Sequence, residues 1–162
     1  MSVDPALCRE HLAELLGEEI LLLTELQQLL EEERDLIGSA EPEALQRTTR
    51  ARQDRLGALA HIEEQRRALC SMHGHGADHA GLERLRQWCD PAGALAPRFA
   101  ECLGRAMSCR DLNDRNGVMV AAKMKRVGEL LQALTGRTTR SDTYGPRGYS
   151  ARVGVGRIFG AV

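Results

Sequence analysis

Residues 12–37 read LAELLGEEILLLTELQQLLEEERDLI, and the spacing of the leucines decides the fold. Leu15, Leu22, Leu29 and Leu36 form one row at seven-residue intervals, and Leu16, Leu23, Leu30 and Ile37 form a second row beside it. Leu12, Ile20 and Leu26 widen the band. Two adjacent apolar rows repeating in this way describe a helix packed in a bundle or coiled coil. Upstream, Asp4 followed by Pro5 supplies an N-cap and a first helical residue whose missing N–H has no partner to lose. Gly38 and Ser39 end the run, so the helix is roughly 50 Å long at about 1.5 Å per residue.

A second helix is expected from Glu41-Pro42 to about Met72, with Leu45, Leu56, Leu59, Ile62, Leu69 and Met72 as its apolar set. Thr48, Thr49 and Arg52 occupy its early stripe positions, which predicts that this end is less buried. The connection of only a few residues forces an antiparallel hairpin. HGHGADHAG (73–81) then reads as a loop, LERLRQWC (82–89) as a short helix, and DPAG (90–93) as a break. A third long helix follows from about Leu95 to Leu134, carrying Phe99, Cys102, Leu103, Ala106, Cys109, Leu112, Val120, Val127, Leu131 and Leu134. From Gly136 the period vanishes into a stretch rich in Gly, Arg, Ser and Thr. The expected architecture is all-α: an antiparallel bundle of three long helices plus a short one over residues 1–135, with a disordered tail over 136–162.

Composition agrees. Aromatics are only 3% of the 162 residues while apolar residues make up 43%, which favours helices packed along stripes over a β-rich fold. The net charge of −1 gives no case for a nucleic-acid partner. Charge is unevenly placed, however: nine acids and two arginines lie between Arg9 and Asp35, and five arginines and one aspartate between Gly136 and Val162. No apolar run approaches the roughly 18 residues needed to span a bilayer, and no signal-peptide pattern opens the chain, so a cytoplasmic protein without membrane insertion is expected. The five cysteines, odd in number and without a Cys-x-x-Cys pair, read as reduced thiols.

Catalytic and metal motifs are missing. His73, His75 and His79, with Cys70 nearby, are ligand types for zinc, but all lie in one glycine-rich loop where structural sites use separated, rigid pairs. Di-iron bundles need Glu-x-x-His, and here His11-x-x-Glu14 and His61-x-x-Glu64 run the other way. No nucleophile elbow or phosphate-cradling loop occurs. Neither a cofactor nor a metal is expected, nor is enzymatic activity.

The third helix interrupts its own apolar face. Asn113, Asn116 and Val120 keep the three-then-four spacing of one stripe, which places the asparagines at or beside the packing seam. A buried asparagine there fixes register at a cost in stability. Gly117 adds about 1 kcal/mol of helix penalty relative to alanine, tolerated where another backbone comes close or the helix bends. Beyond it a second stripe begins: Val120, Met124, Val127, Leu130, Leu131 and Leu134. If the hairpin does not reach this stripe, it is a docking face for another helix. In the tail, Tyr144, Tyr149 and Phe159 hold most of the chain's aromatics, in the manner of anchors on a partner.

LNDRNGVMV (112–120) resembles the Asn-x-x-Asn-Gly-x-Leu-Ile signature in the last helix of FlgN-type flagellar export chaperones. Asn113, Asn116, Gly117, Met119 and Val120 stand at the matching positions, with Met119-Val120 in place of Leu-Ile. The acidic leucine-rich first helix, RLGALAHIEEQRRALC (55–70) and TYGPRG (143–148) are similar to further family features. The resemblance implies a cytosolic chaperone that holds the helical C-terminal segment of hook–filament junction proteins, blocks premature assembly and aids delivery to the export apparatus. It also implies that the stripe from Val120 to Leu134 meets the client, and that Tyr144 docks on a component of the membrane export gate. The rival expectation is a structural coiled-coil adaptor that self-assembles through its first helix.

Overall fold

The computed structural model describes residues 4–136, which form four helices and, among the described residues, no strand: α1 (Pro5–Ile37), α2 (Pro42–Met72), α3 (His79–Cys89) and α4 (Ala96–Thr135). The expected tail, with Tyr144, Tyr149 and Phe159, lies outside the described residues. Local chemistry sets each boundary. The Asp4 carboxylate accepts the Ala6 N–H at 2.9 Å, and Pro stands in the first turn of α1, α2 and α4. At the start of α3, Asp78 accepts the Gly81 N–H at 2.7 Å, so this helix opens three residues earlier than its apolar pattern suggests. Buried Asp90 holds the turn into α4 by accepting from the N–H groups of Ala94 and Leu95. Gly136 ends α4 in the left-handed conformation, at φ 61°.

Helix α1 is the centre of the molecule, with α2 and α4 packed along it. Glu33 meets Arg52 and Glu19 meets Arg66, so α2 runs antiparallel to α1. Of the two leucine rows, Leu15, Leu16, Leu23, Leu30 and Ile37 are buried, and Leu22, Leu29 and Leu36 are half-buried. Both rows are therefore consumed inside one chain, at about 1.5–3 kcal/mol for each fully buried leucine. Leu7 and Leu21 stand exposed on α1 as single side chains.

Short α3 packs against both α1 and α2 and brings Leu85 and Cys89 into the core. The loop before it is tight at one point. A Cβ on Gly81 would sit 1.7 Å from the Gly76 carbonyl oxygen, which is backbone and cannot rotate aside. Gly81→Ala should therefore push the 74–80 loop off α3 and cost about 1–3 kcal/mol, read as a lower urea midpoint with an unchanged slope. The ring of His73 lies 5.1 Å from that of Trp88, and His79 is the first residue of α3. Among the described residues no group of three His, Cys, Asp or Glu is arranged to hold a metal ion.

All five cysteines are free and buried. Burial pushes the thiols of Cys8 and Cys102 up to about 12 and that of Cys109 up to about 11. Thiols held protonated in this way are poor nucleophiles.

The early part of α2 is its less buried end, as the polar stripe positions suggest: Thr48 is the one buried residue before Leu59, and Leu59, Ile62, Arg66, Leu69 and Cys70 are buried beyond it. Two expectations need correction. Met72, expected in the core, is 77% exposed on the last turn of α2. Leu103 is 41% exposed, since it lies a quarter-turn off the seam that Cys102 and Ala106 occupy.

Candidate partner-binding face

Helix α4 is tied to α1 by a ladder of side chains that donate to backbone carbonyls. Cys102 Sγ donates to the Leu16 oxygen at 3.7 Å and Cys109 Sγ to the Leu23 oxygen at 3.5 Å. Asn116 Nδ2 donates to the Leu30 oxygen at 2.9 Å and Lys123 Nζ to the Ile37 oxygen at 2.7 Å. Every pair is separated by 86 residues. Each step is seven residues on both helices, so α1 and α4 run parallel with a coiled-coil repeat.

Asn116 is the rung that sets the register. It is 3% exposed, and its amide reaches both the Leu30 carbonyl and, at 3.1 Å, Glu33 Oε2. The same Glu33 carboxylate accepts from Arg52 at 3.0 Å and from Thr49 Oγ1 at 3.3 Å. One acid of α1 thus joins α2 and α4 in a single polar layer. Sliding α4 by one residue would strand Asn116 among leucines, and a buried amide without partners costs about 1–3 kcal/mol. Asn113 sits at the rim: it is exposed, and its Oδ1 accepts from Arg52 at 3.4 Å.

The second polar layer lies fourteen residues back along α1. Glu19 and Arg66 pair in full burial, at 0% and 3% side-chain exposure, with Glu63 close to the same guanidinium at 3.7 Å. Burial raises the Glu19 carboxyl above its ordinary range, and the adjacent Arg66 charge opposes that rise.

The top rung marks where the bundle stops. Ile37 is the last residue of α1, and Lys123 caps its otherwise orphaned carbonyl, a favourable place for a cation. Helix α4 continues unbroken from Lys123 to Thr135, about 18 Å further. Over this length Met124, Val127, Leu130, Leu131 and Leu134 range from 44% to 82% exposed, and Val120, beside the top rung, is 36% exposed. Val120, Val127 and Leu134 repeat the seven-residue interval of Ala106 and Asn113, so this stripe is the seam itself, continued past the end of the helix that fills it lower down.

Gly117 is part of that continuous helix, and a Cβ added there would meet nothing within 4 Å. Of the two reasons for a glycine here, a close approach by another backbone is not found among the described residues. Gly117→Ala should raise stability by about 0.5–1 kcal/mol, visible as a higher urea midpoint.

Of the sequence-derived site residues, the structure gathers Val120, Met124, Val127, Leu130, Leu131 and Leu134 on one projecting helix segment and puts Asn113, Asn116 and Gly117 just below it. Tyr144 lies outside the described residues. Lys123, Glu33 and Arg52 were not singled out as partners of this site, although Lys123 continues the seven-residue step from Cys102 through Asn116. Among the described residues no helix is long and apolar enough to cross a membrane.

The described residues form an all-helical bundle whose last helix projects beyond it with an exposed apolar stripe. A family model for the FlgN protein matches residues 8–152, nearly the whole chain. The chain belongs to the FlgN family, a family of flagellar export chaperones and not of enzymes. Its partners are accordingly flagellar proteins. Comparison with curated proteins and with solved structures gave no match.

Proposed function

We propose that the chain is a cytoplasmic export chaperone for hook–filament junction proteins, and that the α4 stripe from Val120 to Leu134 holds the helical C-terminal segment of the client. One observation supports the reading above the rest: the stripe continues a helix–helix seam whose inner partner ends at Ile37. A segment shaped like α1 is what that seam accepts. Covering it keeps the client's own assembly helix out of circulation, which blocks premature polymerisation. Four to six aliphatic contacts without a buried ion pair give a releasable complex, in the range of micromolar to nanomolar Kd as an order of magnitude. Tyr144 is the residue we assign to docking on the membrane export gate, which would deliver the loaded chaperone.

The test is co-elution of the purified chain with a purified junction protein on gel filtration. A one-to-one complex that disappears when the client's C-terminal segment is deleted is the expected result. Capture that survives the deletion would place the contact elsewhere on the client and overturn the assignment.

A further inference from the structure

Val120, Met124, Val127, Leu130, Leu131 and Leu134 leave a bare apolar row along the projecting part of α4. A contiguous row of this kind is uncommon on a protein surface unless something covers it. Charge does not choose the cover. Lys123 is committed to the Ile37 carbonyl, and Lys125 lies 3.9 Å from Glu129 on the face of α4 opposite the row, which leaves Arg126 beside it. An apolar segment is the fitting occupant, and the chain contains one outside the described residues. Residues 153–162, VGVGRIFGAV, include Val153, Val155, Ile158, Phe159 and Val162, with one arginine and no acid. They lie beyond the family match, which stops at residue 152.

We infer that residues 153–162 fold back over the α4 stripe when no client is bound, so that the chain carries its own competitor for that surface. The competition rests on the function proposed above, in which the stripe is the client site, and adds its regulation. Three features carry the inference. Gly136 ends α4 at φ 61°, a left-handed cap that turns the chain off the helix axis instead of prolonging it. A linker of about 16 residues, 137–152, then leads to Val153, and a flexible linker of that length spans roughly 20–24 Å. The stripe from Val120 to Leu134 is about 21 Å long, so reach and span agree, and the effective concentration is then of millimolar order. Last, Gly154, Gly156 and Gly160 disfavour a helix, and in an extended backbone they fall on the side opposite Val153, Val155 and Phe159. That alternation gives one apolar side to lay on the row, with Arg157 between Val155 and Phe159.

The full chain carrying Val155→Asp and Phe159→Asp tests this, because both positions lie outside the four helices and every core residue is kept. Methyl NMR compares it with the unaltered chain. The signals of Val127, Leu130 and Leu131 should move, while those of Leu16 and Leu23 in the core stay in place. Affinity for a purified junction protein, read by calorimetry, should rise about fivefold to tenfold in the variant, the factor set by a cover closed for about 80–90% of the time. Stripe signals identical in the two chains would overturn the inference. Stripe signals of the unaltered chain that travel toward those of the variant on dilution would make a second copy of the chain the occupant, against the proposal. Methyl shifts with no change in client affinity would support the cover and overturn the stripe as the client site, so the two readings fail separately.

Discussion

Replacing Val127 and Leu131 together with aspartate should abolish capture of the junction protein and leave the helical circular dichroism and the melting temperature nearly unchanged. Both side chains lie past the top rung at Lys123, at 44% and 56% exposure, so neither supports the bundle. In a complex they would be covered by the client. Each aspartate would then bury a carboxylate against aliphatic groups with no cation in the seam, a penalty of several kcal/mol per site. Two such sites remove a micromolar-to-nanomolar affinity entirely, since the whole binding free energy in that range is about 8–12 kcal/mol. A control lies between the two substituted positions: Gly128→Ala, in open space, should leave capture intact. If the double variant still captures its client at normal strength, the stripe is not the client site.

Glu19→Ala should be the most damaging single change in the bundle, at about 3–5 kcal/mol, with the melting temperature down by on the order of 10 °C. The substitution removes the acid that the buried Arg66 guanidinium faces across the α1–α2 seam, and leaves that cation at 2% exposure without its most deeply buried carboxylate. Neighbouring Glu63, partly open to solvent on α2, recovers only part of the loss. The pair itself contributes less than either half suggests, because desolvating both ions offsets most of their attraction. Glu19→Leu combined with Arg66→Met should accordingly return most of the stability. A double variant as unstable as the single one would show that the pair is a net source of stability, against this account.

Both effects concern positions whose roles differ in how well the chain announces them. The α1 rows, the hairpin and the bounds of α4 follow from local periodicity, which one helix displays by itself. The exposed stripe was also legible, because it is the same pattern carried past the point where α1 runs out of length. What stayed hidden depends on pairs of residues far apart in the chain. Thr49 and Arg52 read only as polar stripe positions on α2, and their partner Glu33 is brought across from α1. Arg66 reads as one charge in a run of charged residues until Glu19 stands opposite it. Leu103 and Met72 err the other way: apolar character marks a candidate for burial, but a quarter-turn off the seam or a place on a last turn leaves the side chain in water. The role of Asn116 lay between these cases. Its place on the stripe was readable, and its two acceptors were not.

The uninterrupted passage of α4 across the top rung has a kinetic meaning. A detached peptide of a dozen residues would be mostly coil in water, since the first turn of a helix is costly to nucleate. Here that step is complete before any client arrives, because the first two-thirds of the rod are held rigid by the rungs to α1. Under the function proposed here, a client would meet a surface already in its binding shape and bear alone the entropy of ordering, which favours quick capture on one side and easy surrender on the other.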